Sequence, residues 1–240
     1  MQVEKLRVGV VSDDGYASPH PAIGRAVDEA AAALASAGAE VEKIEPPDVS
    51  EGMSLYFGLL GADGAAGFRR LVRGSKVDPR VASILRLGGT ARWLRPAMAT
   101  GLRSQGKQQL ADLVLAAGPR KADEYWQLTY QAKQFVTRYL NTLAERRIDA
   151  VICPPHATPA FGHGEGTPDS LIDASYAFIF NLLGTPCGVV PTTTVSPGEG
   201  DPSQAGLPVG VQVAAGYWRE DVVLRVMQVL EQQRVNALTR

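Results

Sequence analysis

Residues 6–11 read LRVGVV, apolar at every position but Arg7. The run is too short for an ordinary helix and lacks the alternation of a strand with one wet face, so it predicts a strand buried on both sides. Such a strand needs a layer above it and a layer below. It stops at the turn Asp13-Asp14-Gly15, and the next segment supplies one of the layers. After Pro19 and Pro21, residues Ile23, Ala26, Val27, Ala30, Ala31 and Leu34 share one helical face, and Gly38 supplies the stop. A strand is predicted at 40–44, before Pro46 and Pro47, and a long helix at 123–147 with an apolar stripe from Tyr125 through Phe135 and Tyr139 to Leu143. Further strands are expected at 150–153, 187–195 and 209–214, a polar loop at 196–206, and a last amphipathic helix through Val223, Val226, Met227 and Leu230. Strands alternating with helices give an α/β fold class: a mixed β-sheet covered by helices on both faces, in a single α/β domain across residues 1–240.

The stretch 181–191, NLLGTPCGVVP, is apolar but broken by Gly184, Pro186, Gly188 and Pro191. Gly184 can end a helix in the left-handed conformation, and Pro186 forbids its continuation. Gly188 leaves room for another backbone close by, and Pro191 limits pairing where the strand leaves the centre of the sheet. The stretch is therefore read as a helix-to-strand join.

Charge is unevenly placed. The net charge is -1, which gives no global field toward nucleic acid. Yet ten bases lie between Gly64 and Ala111 (Arg69, Arg70, Arg73, Lys76, Arg80, Arg86, Arg92, Arg95, Arg103 and Lys107) against the single acid Asp78. Among them stand Val81, Ile84, Leu85, Leu87, Trp93, Leu94, Met98 and Leu102, while Gly88 and Gly89 interrupt any helix there. Residues 64–111 are thus expected to form a basic amphipathic insert or cap suited to an anionic membrane surface, or else a solvated basic face. Nothing resembles a signal peptide or a membrane-spanning run. Cys153 and Cys187 lie in apolar surroundings, which suits a cytoplasmic protein with reduced thiols.

Chemistry is harder to find. Cys153, His156 and His163 stand in CPPHATPAFGHG, but the spacing is not a zinc pattern and no fourth ligand is evident, so no metal is assigned. Cys153 could be a nucleophile paired with His156, against the simpler reading of a buried thiol. Asp13 and Asp14 could be paired carboxylates, or line a ligand crevice at the strand end, against ordinary turn chemistry. GVVSDDGY matches neither phosphate-loop nor dinucleotide spacing. From residue chemistry alone no catalytic residue and no cofactor is assigned.

Taken in order, LRVGVVSDDGY, LASAGAEVEKIEP, CPPHATPAFGHG, SYAFIFNLLGTPCGVVPTTTV and GLPVGVQVAA resemble the carboxy-terminal half of amidase signature enzymes, with the nearest likeness to fatty acid amide hydrolases. The resemblance covers nearly the whole chain and implies a partial amidase signature fold. It also implies hydrolysis of a carboxylic amide, such as a fatty acid amide, to acid and amine. In that chemistry a serine nucleophile is activated by a lysine through a second serine, and backbone amides stabilise the oxyanion.

In that family all three residues belong to the amino-terminal half. This sequence has no Gly-Ser-Ser-Gly stretch, and none of its six lysines stands in the family's lysine context. By resemblance, Leu171, Ala174 and Phe178 line an acyl-chain pocket, and Trp218 is similar to a channel tryptophan. The spacing i, i+3, i+7 would aim the first three to one side of a helix, although such spacing also fits plain core packing. The basic segment from Ser83 to Leu102 corresponds by resemblance to a membrane-facing cap. The implied partners are a lipophilic amide substrate, an anionic membrane surface met peripherally, and a missing amino-terminal half or a second copy of the chain. The competing reading is a non-catalytic remnant or subunit that binds a hydrophobic ligand or a partner protein.

Overall fold

The computed structural model describes residues 2–79, 82, 85, 88–166 and 170–238. Arg80, Val81, Ser83, Ile84, Arg86 and Leu87 of the basic segment lie outside the described residues. Along the chain run β1 (Arg7–Val10), α1 (Pro21–Ser36), β2 (Glu40–Lys43), α2 (Val49–Leu60), α3 (Ala66–Leu71), α4 (Arg95–Ser104), α5 (Gln108–Ala116) and α6 (Ala122–Glu145). Then come β3 (Ala150–Cys153), α7 (Ser170–Asp173), α8 (Ser175–Leu183), β4 (Cys187–Thr194), β5 (Pro208–Ala215) and α9 (Glu220–Leu238). The chain divides into two compact units, one of Met1–Val49 with Thr137–Arg240 and one of Ser50–Val136.

The first unit holds the sheet, in the order β2-β1-β3-β5-β4. β1 runs parallel to β2 and to β3, with Val8 opposite Ala150 and Val10 opposite Ile152. β5 runs antiparallel to β3 and to β4, with Cys153 opposite Gln212. The sheet is therefore mixed. On one face Val8, Val10, Ala150, Ile152, Val211 and Val213 pack in one core with Ala26, Val27 and Leu34 of α1 and with Val222, Val226 and Leu230 of α9. Strand alternation turns Val151, Cys153, Gln212 and Ala214 to the other face. There Val151 and Ala214 line a small cleft together with Phe180 and Leu183 of α8 and Tyr139 and Leu143 from the end of α6. β3 is buried at all four positions, because both layers close over it.

Local chemistry sets the element ends. α1 begins with Pro21, and the Nδ1 of His20 accepts the N–H of Ala22 at 3.2 Å, which satisfies one orphan donor of the first turn. Gly38 comes just after its last turn with φ +97. Gly184 ends α8 in the left-handed conformation (φ 66), the stop expected for it. Gly188 serves a different neighbour from the one expected. A Cβ there would stand 2.5 Å from the Met227 Sδ, so the space admits a side chain of α9 rather than a second backbone. Pro191 lies at a register shift between Pro191 and Thr193, on the edge strand, where a missing N–H is tolerated. The loop at 196–206 is pinned to α1 by Arg25, which donates to both carboxylate oxygens of Glu199 (2.6 and 2.9 Å) and to the Thr194 carbonyl (2.7 Å).

The second unit is helical among its described residues, and the stretch 64–111 lies within it. Gly88 and Gly89 have helical backbone themselves, and the helical conformation stops directly after them, with a bend at Thr90. The missing side chain of Gly88 also makes room, since a Cβ there would lie 2.8 Å from that of Ala65. Nor is every base of the stretch solvated. Arg95 is 2% exposed; its guanidinium donates to the carbonyls of Val114 (2.9 Å), Thr90 (3.2 Å) and Ala117. These include the free carbonyls at the end of α5, a favourable place for a cation. Burial pushes the Arg95 pKa below its ordinary value, and the neighbouring charge of Arg120 adds to this.

Gly118 closes the same site. Its φ is +116, and a Cβ would come within 2.4 Å of the Arg95 Cζ. Gly118→Ala therefore combines backbone strain with a clash against a buried charge, and is expected to destabilise the helical unit by about 2 kcal/mol or more. Hydrogen exchange checks this: protection should fall at 95–117 and hold at 150–153.

Candidate functional site

The ends of β1 and β3 and the start of α8 bring together polar groups that sequence order keeps far apart. Asp14 is 7% exposed, Ser175 is fully buried, and Tyr176, Cys153 and Gln212 are buried with them. The Asp14 Oδ1 accepts the N–H groups of Tyr16 (2.8 Å) and Ala17 (2.9 Å), an Asx-type turn. Its Oδ2 accepts the Ser175 hydroxyl at 2.5 Å. The Tyr176 hydroxyl accepts the N–H of Asp14 (3.2 Å) and donates to the Ala17 carbonyl (2.8 Å). From β5, the Gln212 amide donates to the Tyr176 carbonyl (3.2 Å) and to the Cys153 Sγ (3.3 Å). One hydrogen-bonded network thus joins the turn after β1, the end of β3, β5 and α8.

The electrostatics are set by burial. Desolvation raises the Asp14 pKa above its ordinary value, while the bonds from Ser175, Ala17 and Tyr16 oppose the rise and the charge of Asp13 adds to it. Burial pushes the Cys153 thiol up to about 12, against the bond from Gln212. At neutral pH Cys153 is therefore a protonated thiol and a poor nucleophile. His156 bonds locally, its Nδ1 lying 3.2 Å from the Thr158 N–H and hydroxyl, while the partner of Cys153 is Gln212. Asp13 is exposed and accepts the Gly15 N–H at 2.8 Å. Asp14 faces inward, so the two carboxylates are not paired toward a ligand. Among the described residues, no group of three or more His, Cys, Asp and Glu is arranged to hold a metal ion.

The four residues singled out from the sequence fall on two helices and a turn. Leu171 belongs to α7, Ala174 is the N-cap of α8, and Phe178 stands one turn into α8. All three are half-buried. One continuous helix does not carry them: the Asp173 carbonyl accepts the N–H of Ala157 at 2.8 Å, while Ala177 and Phe178 donate to the Ala174 carbonyl (3.0 and 3.1 Å). Ala174 and Phe178 share a face of α8; Leu171 sits on the preceding turn. Trp218, between β5 and α9, is 88% exposed with φ +62, and its neighbour Tyr217 donates from its hydroxyl to the Leu183 carbonyl at 2.9 Å. None of the four lines the cleft between α8 and the sheet.

Sequence reasoning missed Ser175, Tyr176 and Gln212. Ser175 lies 161 residues from its carboxylate partner, and no local pattern announces such a contact. Gln212 did leave a signal, as the one polar side chain in the strand PVGVQVAA; a polar group inside a buried strand calls for a buried partner.

The family model described as Amidase matches residues 2–224. The chain is 26% identical to a fatty acid amide hydrolase of Caenorhabditis elegans over 95% of its own length and 43% of that protein. It is 30% identical to a glutamyl-tRNA(Gln) amidotransferase subunit of Acidobacterium capsulatum, over 95% of its length and 46% of that subunit. Among solved structures, a fatty acid amide hydrolase superposes with a TM-score of 0.69 at 19% identity, covering 96% of this chain and 40% of that one. A 6-aminohexanoate cyclic dimer hydrolase superposes with a TM-score of 0.62 at 20% identity, covering 97% of this chain and 46% of that one. The fold is therefore that of amidase signature enzymes, and the chain belongs to the amidase family. It spans less than half the length of the relatives it matches.

The raised pKa of Asp14 has a testable sign. Its folded value lies above 3.8, so the native state holds this proton more tightly than the unfolded chain. The resulting stabilisation is complete below 3.8 and is lost as pH rises through the folded value. Asp14→Asn keeps the shape without the charge. Urea unfolding across this range should show the wild type losing stability relative to Asp14→Asn as pH rises; parallel curves would contradict the assignment.

Proposed function

We propose that this chain is the carboxy-terminal portion of an amidase that hydrolyses carboxylic amides, fatty acid amides in particular, to acid and amine. The family match over residues 2–224 carries this reading, and the likeness to fatty acid amide hydrolases of Caenorhabditis elegans and Sus scrofa supports the substrate class. The nucleophilic serine, the bridging serine and the lysine belong to a part of the enzyme outside these residues. This chain contributes sheet and pocket wall: Leu171, Ala174, Phe178 and Trp218 face the acyl chain. The half-buried positions of the first three and the exposed indole of Trp218 support that role.

The purified chain should neither hydrolyse oleamide nor react with a fluorophosphonate probe; turnover would overturn the assignment of catalysis to other residues. It should bind oleamide saturably. Phe178→Ala is expected to weaken that binding about tenfold, since an apolar side chain of this size contributes about 1.4 kcal/mol or more.

Residues 64–111 form the membrane-facing part in this reading. Phe68, Leu71, Trp93, Leu94 and Met98 are exposed, and Arg69, Arg70, Arg73, Lys76, Arg92 and Arg103 are exposed among them. Aromatic and aliphatic side chains interleaved with bases suit the interface of an anionic bilayer. Among the described residues no helix is long and apolar enough to cross a membrane, so the contact would be peripheral. Sedimentation with vesicles should show binding that increases with anionic lipid content and falls in Trp93→Ala; indifference to lipid charge removes the membrane from the proposal.

A second reading is a subunit that works with a partner chain. The 30% identity to an amidotransferase subunit favours it, as does the uncharged edge strand β4, with Val189 50% exposed. Such an edge could take a strand from an amino-terminal half or from a second copy.

A further inference from the structure

We propose that Asp14 is a positioning residue for the acyl-facing helix. By holding Ser175 and Tyr176 in the first turn of α8, it fixes the direction in which Ala174 and Phe178 stand, and so the length of acyl chain they accept. The selectivity step rests on the proposed acyl-wall role of Ala174 and Phe178; the anchoring does not.

α8 has reasons to need an anchor. It is nine residues long, a length at which an isolated helix is unstable in water. Its N-cap is Ala174, which offers no side-chain acceptor to the first turn. The helix preceding it ends at Asp173, whose carbonyl is diverted to the N–H of Ala157. Ala174 is therefore a joint between α7 and α8, and the backbone hydrogen bonds of α8 alone do not set its angle.

Asp14 supplies what the joint lacks. Its Oδ2 holds the first residue of α8 through a buried 2.5 Å bond to Ser175. Its own N–H holds the second through the Tyr176 hydroxyl, which also donates to the Ala17 carbonyl. The carboxylate is itself fixed by the Tyr16 and Ala17 N–H groups on its other oxygen. From the far side Gln212 donates to the Tyr176 carbonyl. Two successive residues of a short helix are thus gripped from two sides, by the turn after β1 and by β5. A negative group at the helix start is also favoured by the helix dipole. Phe178 stands one turn beyond Ala174, so any rotation at the joint moves both.

The test is amide exchange on the full chain, comparing the wild type with Asp14→Ala, Asp14→Asn and Ser175→Ala. In Asp14→Ala and Ser175→Ala, exchange at 177–180 should accelerate about tenfold or more relative to 151–153 and 211–213, as expected for the loss of one buried hydrogen bond. Asp14→Asn should stay near wild type, because its amide keeps one acceptor oxygen and offers Ser175 an N–H. Equal acceleration in helix and sheet, or none in the helix, overturns the anchoring. Should Asp14→Ala not fold, Ser175→Ala, which removes a single hydroxyl, carries the comparison.

The selectivity step is read separately, from the ratio of dissociation constants for the primary amides of decanoic and oleic acid. A ratio that shifts severalfold in Ser175→Ala and returns in Asp14→Asn supports it; an unchanged ratio overturns it. A wild-type chain that binds neither amide overturns the substrate reading and the selectivity with it, while exchange still decides whether Asp14 anchors α8.

Discussion

Burial of β3 on both faces is the constraint around which the first unit is arranged. Four residues, Ala150–Cys153, have no wet side, so their side chains must be matched by a full layer on each face. On one face α1 and α9 supply it with Ala26, Val27, Val222 and Val226. On the other, α8 and the end of α6 supply it with Phe180, Leu183, Tyr139 and Leu143. β3 is also where pairing changes direction, parallel to β1 and antiparallel to β5. The parallel neighbour must be reached by a long crossover, whereas the antiparallel β5 pairs in turn with β4, which precedes it. The candidate site lies where these two modes meet, at the Cys153 end of β3, with Asp14 just beyond β1 and Gln212 on β5.

A carboxylate at such a place is costly unless its charge is met. An unsatisfied buried polar group costs about 1 to 3 kcal/mol, more when charged. Asp14 has three donors on its two oxygens, yet desolvation still raises its pKa. The donors reduce the cost of burial without cancelling it. A side chain retained on those terms is better explained by the geometry it enforces than by net stability. Here that geometry is the departure of α8 from the sheet. The same logic applies to Arg95, whose buried cation is met by backbone carbonyls at the end of α5; there the geometry is helix packing.

The parts of this molecule that depend on local pattern were legible in the sequence. LRVGVV and AVIC, apolar without alternation, could only be covered strands; the stripe of α1 and the stop at Gly38 came from periodicity and backbone freedom. Gly184 was legible as a helix end because a left-handed residue before Pro186 has few other uses. Features that depended on long-range contact were not. Gly188 announced a close approach but not its partner, Met227, which lies in α9. The helix end at Gly88 and Gly89 was legible because propensity is local, while the close packing of Gly88 against Ala65 was not. Leu171, Ala174 and Phe178 had helical spacing, but the bond from Ala157 to Asp173 that splits the helix comes from a distant loop. The Asp14 network was hidden for the same reason.

The two edges of the sheet treat their free backbone differently. β2 is four residues long, reads EVEK, and is laced by Arg7 to Glu40 and Glu42 and by Arg146 to Glu42. A short charged edge of this kind discourages a further strand. β4 is eight residues long and carries no charge. Its protection is confined to Pro191, which removes one donor, and to the register shift beside it. The half from Cys187 to Val190 has neither device, and Val189 there is half exposed. The two edges are thus protected unequally, β2 by charge and shortness along its whole length and β4 at its Pro191 end alone.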